Sequence, residues 1–305
     1  MAAIIAAIAG ATALGIWAER RFGERAVAGS RQALMLVLWF VLPPVAFLNL
    51  VNADIGLDAG LGLVAAVMTL GVVGSIAWFV GARVLHLPRA STGALIAAVI
   101  VVNTGYLGYP VVAALVGFDA LGRAVAYDIV VSGVGFLLGS FAVGAAFGEG
   151  AGETRRERVR AFFTRNPALA ASALALVAPS SFAPETLVDI SRIAIFAVLP
   201  IGFFAVGVTL AESAEEGETS FPPPFDRPIA VVVALRLLAA PLLLLGICAP
   251  FIDLPETYLL MAAMPCGLNT MIVSHAYGLD MRIAAGAITW STVLAAGWLS
   301  VVAIA

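Results

Sequence analysis

One asparagine, two glycines and a proline fall inside a single eight-residue window, Asn103–Pro110, within an apolar stretch long enough to cross a bilayer. Glycine lowers helix propensity, and proline removes a donor and clashes with the preceding turn. A helix entering this window therefore breaks inside the membrane and exposes backbone dipoles there. Such breaks survive at membrane depth only where protein buries them or where they line a cavity, so they point to transport sites.

The rest of the chain agrees with a membrane setting. Of 305 residues, 62% are hydrophobic and only 11% charged, and the net charge is −3. Mean hydropathy is +1.06. A polytopic, all-α integral membrane protein is the class that needs this much apolar surface. All 16 basic residues are arginine, which excludes lysine Schiff-base chemistry and any lysine nucleophile. Cys248 and Cys266 lie far apart in apolar segments and read as free thiols. No HExxH motif and no paired intramembrane aspartates occur, and Ser274 and His275 are mere chain neighbours. These absences count against an intramembrane enzyme, and no metal, cofactor or nucleic-acid partner is expected.

Apolar runs of spanning length fall at 2–18, 30–51, 57–84, 90–116, 124–147, 167–182, 186–211, 228–252, 256–277 and 281–305, about ten helices in all. Arginines concentrate in alternate connections: Arg20, Arg21, Arg25 and Arg31 after the first run, Arg83 and Arg89 after the third. Arg155, Arg156, Arg158, Arg160 and Arg165 follow the fifth. The positive-inside rule makes these loops cytoplasmic and puts both termini outside. The first run has no basic residues ahead of it, so it reads as a retained helix and not a cleaved signal.

Five plus five spans predict inverted repeats, residues 1–147 and 166–305, joined by the Arg-rich link Gly148–Arg165. Leu42-Pro43-Pro44-Val45-Ala46-Phe47 resembles Leu199-Pro200-Ile201-Gly202-Phe203-Phe204, and the interval from Pro43 to Pro110 nearly equals that from Pro200 to Pro265. A second interruption, Met264-Pro265-Cys266-Gly267-Leu268-Asn269, therefore falls where a repeat needs it. The acidic, Pro-rich stretch 211–226 reads as a solvated cytoplasmic loop.

At each break the new half-helix offers unpaired N–H groups and a partial positive charge, an anion site without a basic side chain. Pro110 suits the first turn of such a half-helix. Asn103 and Asn269 can donate to a carboxylate, or can instead satisfy carbonyls freed by the breaks. Thr104, Gly105, Gly108, Pro265, Cys266 and Gly267 line the same two windows. Tyr106 and Tyr109 stack on an organic substrate or serve as packing. Three ionisable residues within spans stand out. Asp128 is either functional or an interface residue. Arg236 attracts a carboxylate, pairs with an acid or snorkels to the surface. His275 carries a proton or is simply hydrogen-bonded.

Asn103-x-Gly105-x-x-Gly108-x-Pro110, followed by the second break at Pro265 to Asn269, resembles the auxin efflux carrier family of plant PIN-type carriers and bacterial permeases. That family shares its architecture with the bile acid–sodium symporters. The resemblance implies a scaffold from helices 1, 2, 6 and 7, a transport domain from helices 3–5 and 8–10, and crossing broken helices 4 and 9. It also implies elevator-type movement, homodimers through the scaffold, and residence in a bacterial inner membrane. By position, Asn103 and Asn269 are the residues it assigns to a substrate carboxylate. Sodium coupling is not expected, because no acidic residue stands near either break in sequence. The function expected is secondary transport of small mono- or dicarboxylates, auxin-like or malate/malonate-like. The alternatives are a sodium-coupled bile-acid-type symporter, or a channel or sensor built on the same breaks.

Overall fold

The computed structural model describes residues 2–51, 53, 56–148, 167–215, 217, 220 and 222–302. The Arg-rich link, with Arg155 to Arg165, lies outside them, as do Glu216 and Glu218 of the acidic stretch. Among the described residues the fold is helical, without a named strand. Helix α1 spans Ala2–Phe22. Gly23, at φ +52°, turns the chain into α2, Glu24–Leu50, whose π turn Val37–Val41 widens the coil just ahead of Pro43 and Pro44. Helix α3 is Leu57–Val84 and α4 is Arg89–Ile100. After the first break come the π turn Thr104–Gly108 and α5, Tyr109–Leu115. Helix α6, Leu121–Tyr127, passes through π turns at Asp128–Ser132 and Gly135–Ser140 into α7, Phe141–Phe147.

The second part opens with α8, Pro167–Ala175, then α9, Glu185–Glu215, and α10, Arg227–Cys248. Helix α11 is Glu256–Ala262, α12 is Asn269–Tyr277 and α13 is Met281–Val302. Asp226 caps α10 by accepting from the Ile229 N–H, and Pro228 occupies the first turn. Gly278 closes α12 in the left-handed region.

Five of these helices, α1, α2, α3, α9 and α10, are long and apolar enough to cross a membrane. The expected runs at 90–116 and 256–277 are split by breaks into shorter pieces. The expected run 167–182 is helical only to Ala175; Pro179 and a 3-10 turn at Ser180–Phe182 follow. The residue ahead of a proline is pushed out of the helical region, which stops the helix early.

Large apolar side chains cover the outside: Phe40 is 72% exposed and Ile193 71%. Trp39, Met68 and Trp78 join them. Water does not tolerate such a surface on a monomer, whereas lipid solvates it; the chain is an integral membrane protein.

Two sets of helices pack within themselves. Helices α1, α2, α8 and α9 form one, with α1 lying along α9. There the backbones touch: a Cβ on Gly15 would stand 2.1 Å from the Phe204 carbonyl oxygen, and one on Gly207 2.1 Å from that of Thr12. Small residues permit this approach where apolar burial gives no drive between helices. The second set holds α3 to α7 and α10 to α13. The stretch 222–226, expected to be solvated, is instead docked on α13. Trp290 Nε1 donates to the Pro223 carbonyl at 3.0 Å, Phe225 meets the Trp290 ring edge-on, and Arg282 pairs with Asp226.

Candidate functional site

The two breaks meet. Beyond Ile100 the chain runs extended at Val101, and Val102 pairs antiparallel with Cys266. The Asn103 N–H donates to the Pro265 carbonyl and the Gly267 N–H to the Val101 carbonyl, each at 2.9 Å. Two peptide hydrogen bonds thus join the interrupted chains where neither can bond within a helix. Gly267 is needed for the approach, since a Cβ there would lie 2.9 Å from the Val102 carbonyl oxygen. Gly108 makes similar room for Met261.

Helix ends at this depth carry charge, and each sign is met by a side chain. Arg236, 1% exposed on the π turn Leu235–Ala239 of α10, donates to the Val99 carbonyl at 3.0 Å and to the Ala262 carbonyl. Those carbonyls belong to the last turns of α4 and α11, the negative ends created by the breaks. A planar guanidinium can reach both at once. At the other pole, Asp128 accepts hydrogen bonds from Thr104 and from the Tyr109 hydroxyl, the latter at 2.7 Å. Thr104 Oγ1 also lies 2.8 Å from Ser132 Oγ.

Between these poles some donors are left over. Asn103 is only 4% exposed, yet its side-chain amide has no hydrogen-bond partner among the described residues, and neither has that of Asn269. The N–H groups from Thr104 to Leu107, and those of Leu268 and Asn269, donate to no carbonyl among the described residues. A Cβ added to Gly105 would meet nothing within 4 Å, so open space adjoins these donors. Tyr106 closes one side by lying on α9, where a Cβ on Gly202 would come 2.5 Å from its ring. Unpaired amide and N–H donors beside a space suit a carboxylate.

Several sequence expectations change here. Arg236 does not snorkel to the surface; it is buried, and two of its nitrogens are engaged by carbonyls. Asp128 is partly buried and adjoins the first break, which removes the ground on which sodium coupling was discounted. Cys266, expected along the lining, is fully buried, with Sγ 3.1 Å from Thr270 Oγ1 and its N–H bonded to Ser291. His275 lies exposed in the last turn of α12, nearly two turns from Asn269. Pro110 is buried in the first turn of α5 as expected, and both cysteines are free thiols. Sequence reading missed Ser132, Ser291 and Gly202. Ser132 had a signal, since it stands one helical turn after Asp128 on the same face.

A family model described as Membrane transport protein matches residues 161–303. A protein named as an uncharacterized transporter in Methanothermobacter thermautotrophicus is 27% identical over 272 residues, covering 85% of this chain and 83% of its own length. A second, also named as an uncharacterized transporter, from Methanocaldococcus jannaschii, is 25% identical over 236 residues, covering 74% of this chain and 73% of its own. The resemblance to a transporter family read from the breaks therefore stands.

Proposed function

We propose that this chain is a secondary transporter of small organic anions, with the carboxylate seated where the two breaks cross. One observation carries the reading: Asn103 is 4% exposed, its side-chain amide has no hydrogen-bond partner among the described residues, and open space adjoins it at Gly105. An amide with no internal partner is free to donate to a bound carboxylate. The free N–H groups at Thr104 to Leu107 and the amide of Asn269 add donors without adding a formal charge. Dipoles and amides hold an anion firmly enough to load and weakly enough to release.

In this reading α3 to α7 and α10 to α13 move as one body against α1, α2, α8 and α9. The ring of Tyr106 on Gly202, and Gly122 of α6 against Asn49 of α2, are contacts across which they move. Helices α1, α2, α8 and α9 serve as scaffold and homodimer contact, in the cytoplasmic membrane, with both termini outside. Inverted repeats, residues 1–147 and 166–305, supply the two access states.

Counterflow of radiolabelled carboxylates into proteoliposomes tests the reading. Wild-type protein exchanges at least one mono- or dicarboxylate, and Asn103→Ala loses that exchange while staying folded. Exchange of no carboxylate by folded wild-type protein refutes the anion assignment. Flux too fast for a carrier would point to a channel instead.

A further inference from the structure

Asp128 is a carboxyl group within the helical core that no cation accompanies. No ion pair among the described residues includes it. Thr104, Tyr106 and Tyr109 face it from the first break, and Ser132 stands one turn further along its own helix. The π turn Gly135–Ser140 beyond carries no charged residue. The neighbouring helix α3 carries no charged residue between Asp58 and Arg83, near its two ends. A lone intramembrane carboxyl group of this kind needs a function to be retained.

The hydroxyls around it permit two bonded states of Asp128. Thr104 has one hydroxyl proton and two acceptors within reach, Asp128 and Ser132. With Asp128 ionised, Thr104 donates to the carboxylate, and the Ser132 hydroxyl donates to Thr104 Oγ1. With Asp128 protonated, its own O–H donates to Thr104 Oγ1, and Thr104 turns to Ser132 Oγ. Asp128 and Thr104 keep partners in both states, and only the Ser132 proton gives up its acceptor in the second, so a proton is taken up or released by rotating hydroxyls.

We propose that Asp128 carries the proton of the transport cycle and is loaded together with the substrate anion. This rests on the organic-anion reading above and names its coupling. Asn103, the amide that reading assigns to the carboxylate, directly precedes Thr104, whose hydroxyl bonds Asp128. An anion seated there faces the Asp128 carboxyl group at short range in a poorly screened setting, and two like charges there repel strongly. Anion and proton therefore favour each other's binding, and the coupling is reciprocal by linkage. A monocarboxylate and one proton cross as a neutral pair. The proton comes from water on the open side, rests on a carboxyl oxygen of Asp128, and returns to water on the other side.

Two measurements on the full chain in lipid decide the matter. In infrared difference spectra across pH, wild-type protein shows a carboxylic-acid carbonyl stretch that Asp128→Asn lacks and that Thr104→Val displaces along the pH axis. In proteoliposomes, wild-type protein accumulates a monocarboxylate along an imposed proton gradient, up to about tenfold per pH unit for one-to-one coupling. Asp128→Asn only equilibrates it, at a reduced rate. The proposal is overturned if Asp128→Asn keeps the band or accumulates as wild type does, or if a sodium gradient drives accumulation in place of the proton gradient. A band assigned to Asp128 with no carboxylate exchange supports the proton site and refutes the anion reading, so the two failures separate. Should Asp128→Asn fail to fold, an undisplaced band in Thr104→Val overturns the proposal by itself.

Discussion

Arg236 and Asn103 are both buried polar side chains, and their hydrogen bonds assign them opposite roles. Arg236 spends its donors inside the protein, on two carbonyls from different half-helices. Hydrogen bonds to a charged group contribute about 1.5–3 kcal/mol each, so Arg236→Met destabilises the fold by about 3 kcal/mol or more. Arg236→Lys, reaching one carbonyl but not both, falls in between. Thermal unfolding of the detergent-solubilised variants measures this, and a wild-type melting curve for Arg236→Met would remove the clamp from the account. Asn103→Ala should instead melt within about 1 kcal/mol of wild type, having lost no internal bond, while its counterflow disappears. Asn103 was legible from sequence because an interruption in an apolar run is itself a pattern. Arg236 was not: its acceptors lie 137 and 26 positions away and are carbonyls, which carry no residue signature. Asp128 was legible as a candidate, but its partners, 24 and 19 positions off on another element, were not.

Among the elements, α9 has two glycine contacts with separate duties. Gly207 lets the α1 backbone lie against it, and Gly202 receives the Tyr106 ring. Gly207→Val forces α1 away and destabilises the protein by about 1–3 kcal/mol, read as a lowered unfolding temperature. Gly202→Leu leaves the α1 contact alone but fills the space that Tyr106 occupies, so exchange falls at least about tenfold while the unfolding temperature changes much less. Equal loss of stability in both variants would mean that Gly202 is ordinary packing. The half-helices were readable because Pro110 and Pro265 punctuate otherwise continuous apolar runs. The shortness of α8 was not, since Leu176 and Val177 continue the apolar pattern beyond the point where Pro179 has ended the helix. Nor was the docking of 222–226, because its partners Arg282 and Trp290 sit on α13, far along the chain.

At the level of the whole molecule, the two sets of helices are fastened to one another at one end. Phe118 meets Phe196 edge-on, and Arg192 of α9 pairs with Asp119 at 3.0 Å while lying over the Phe118 ring. Exposed pairs of this kind contribute about 1 kcal/mol or less, weak enough to open in each cycle. If one set slides past the other, joining Asp119→Cys to Arg192→Cys with a short bifunctional thiol reagent stops exchange, and a cleavable reagent restores it on reduction. Both native cysteines are buried and leave the reagent to the new pair. Undiminished exchange in the crosslinked protein would mean that the two sets do not slide. The crossover itself is joined by main-chain groups, through the amides of Asn103 and Gly267. A joint made of peptide groups is inherited through almost any drift in the side chains around it, provided Gly267 keeps its place. Descendants of such a chain can exchange one cargo for another by altering the walls at Tyr106 or Gly202, without having to reinvent the seat.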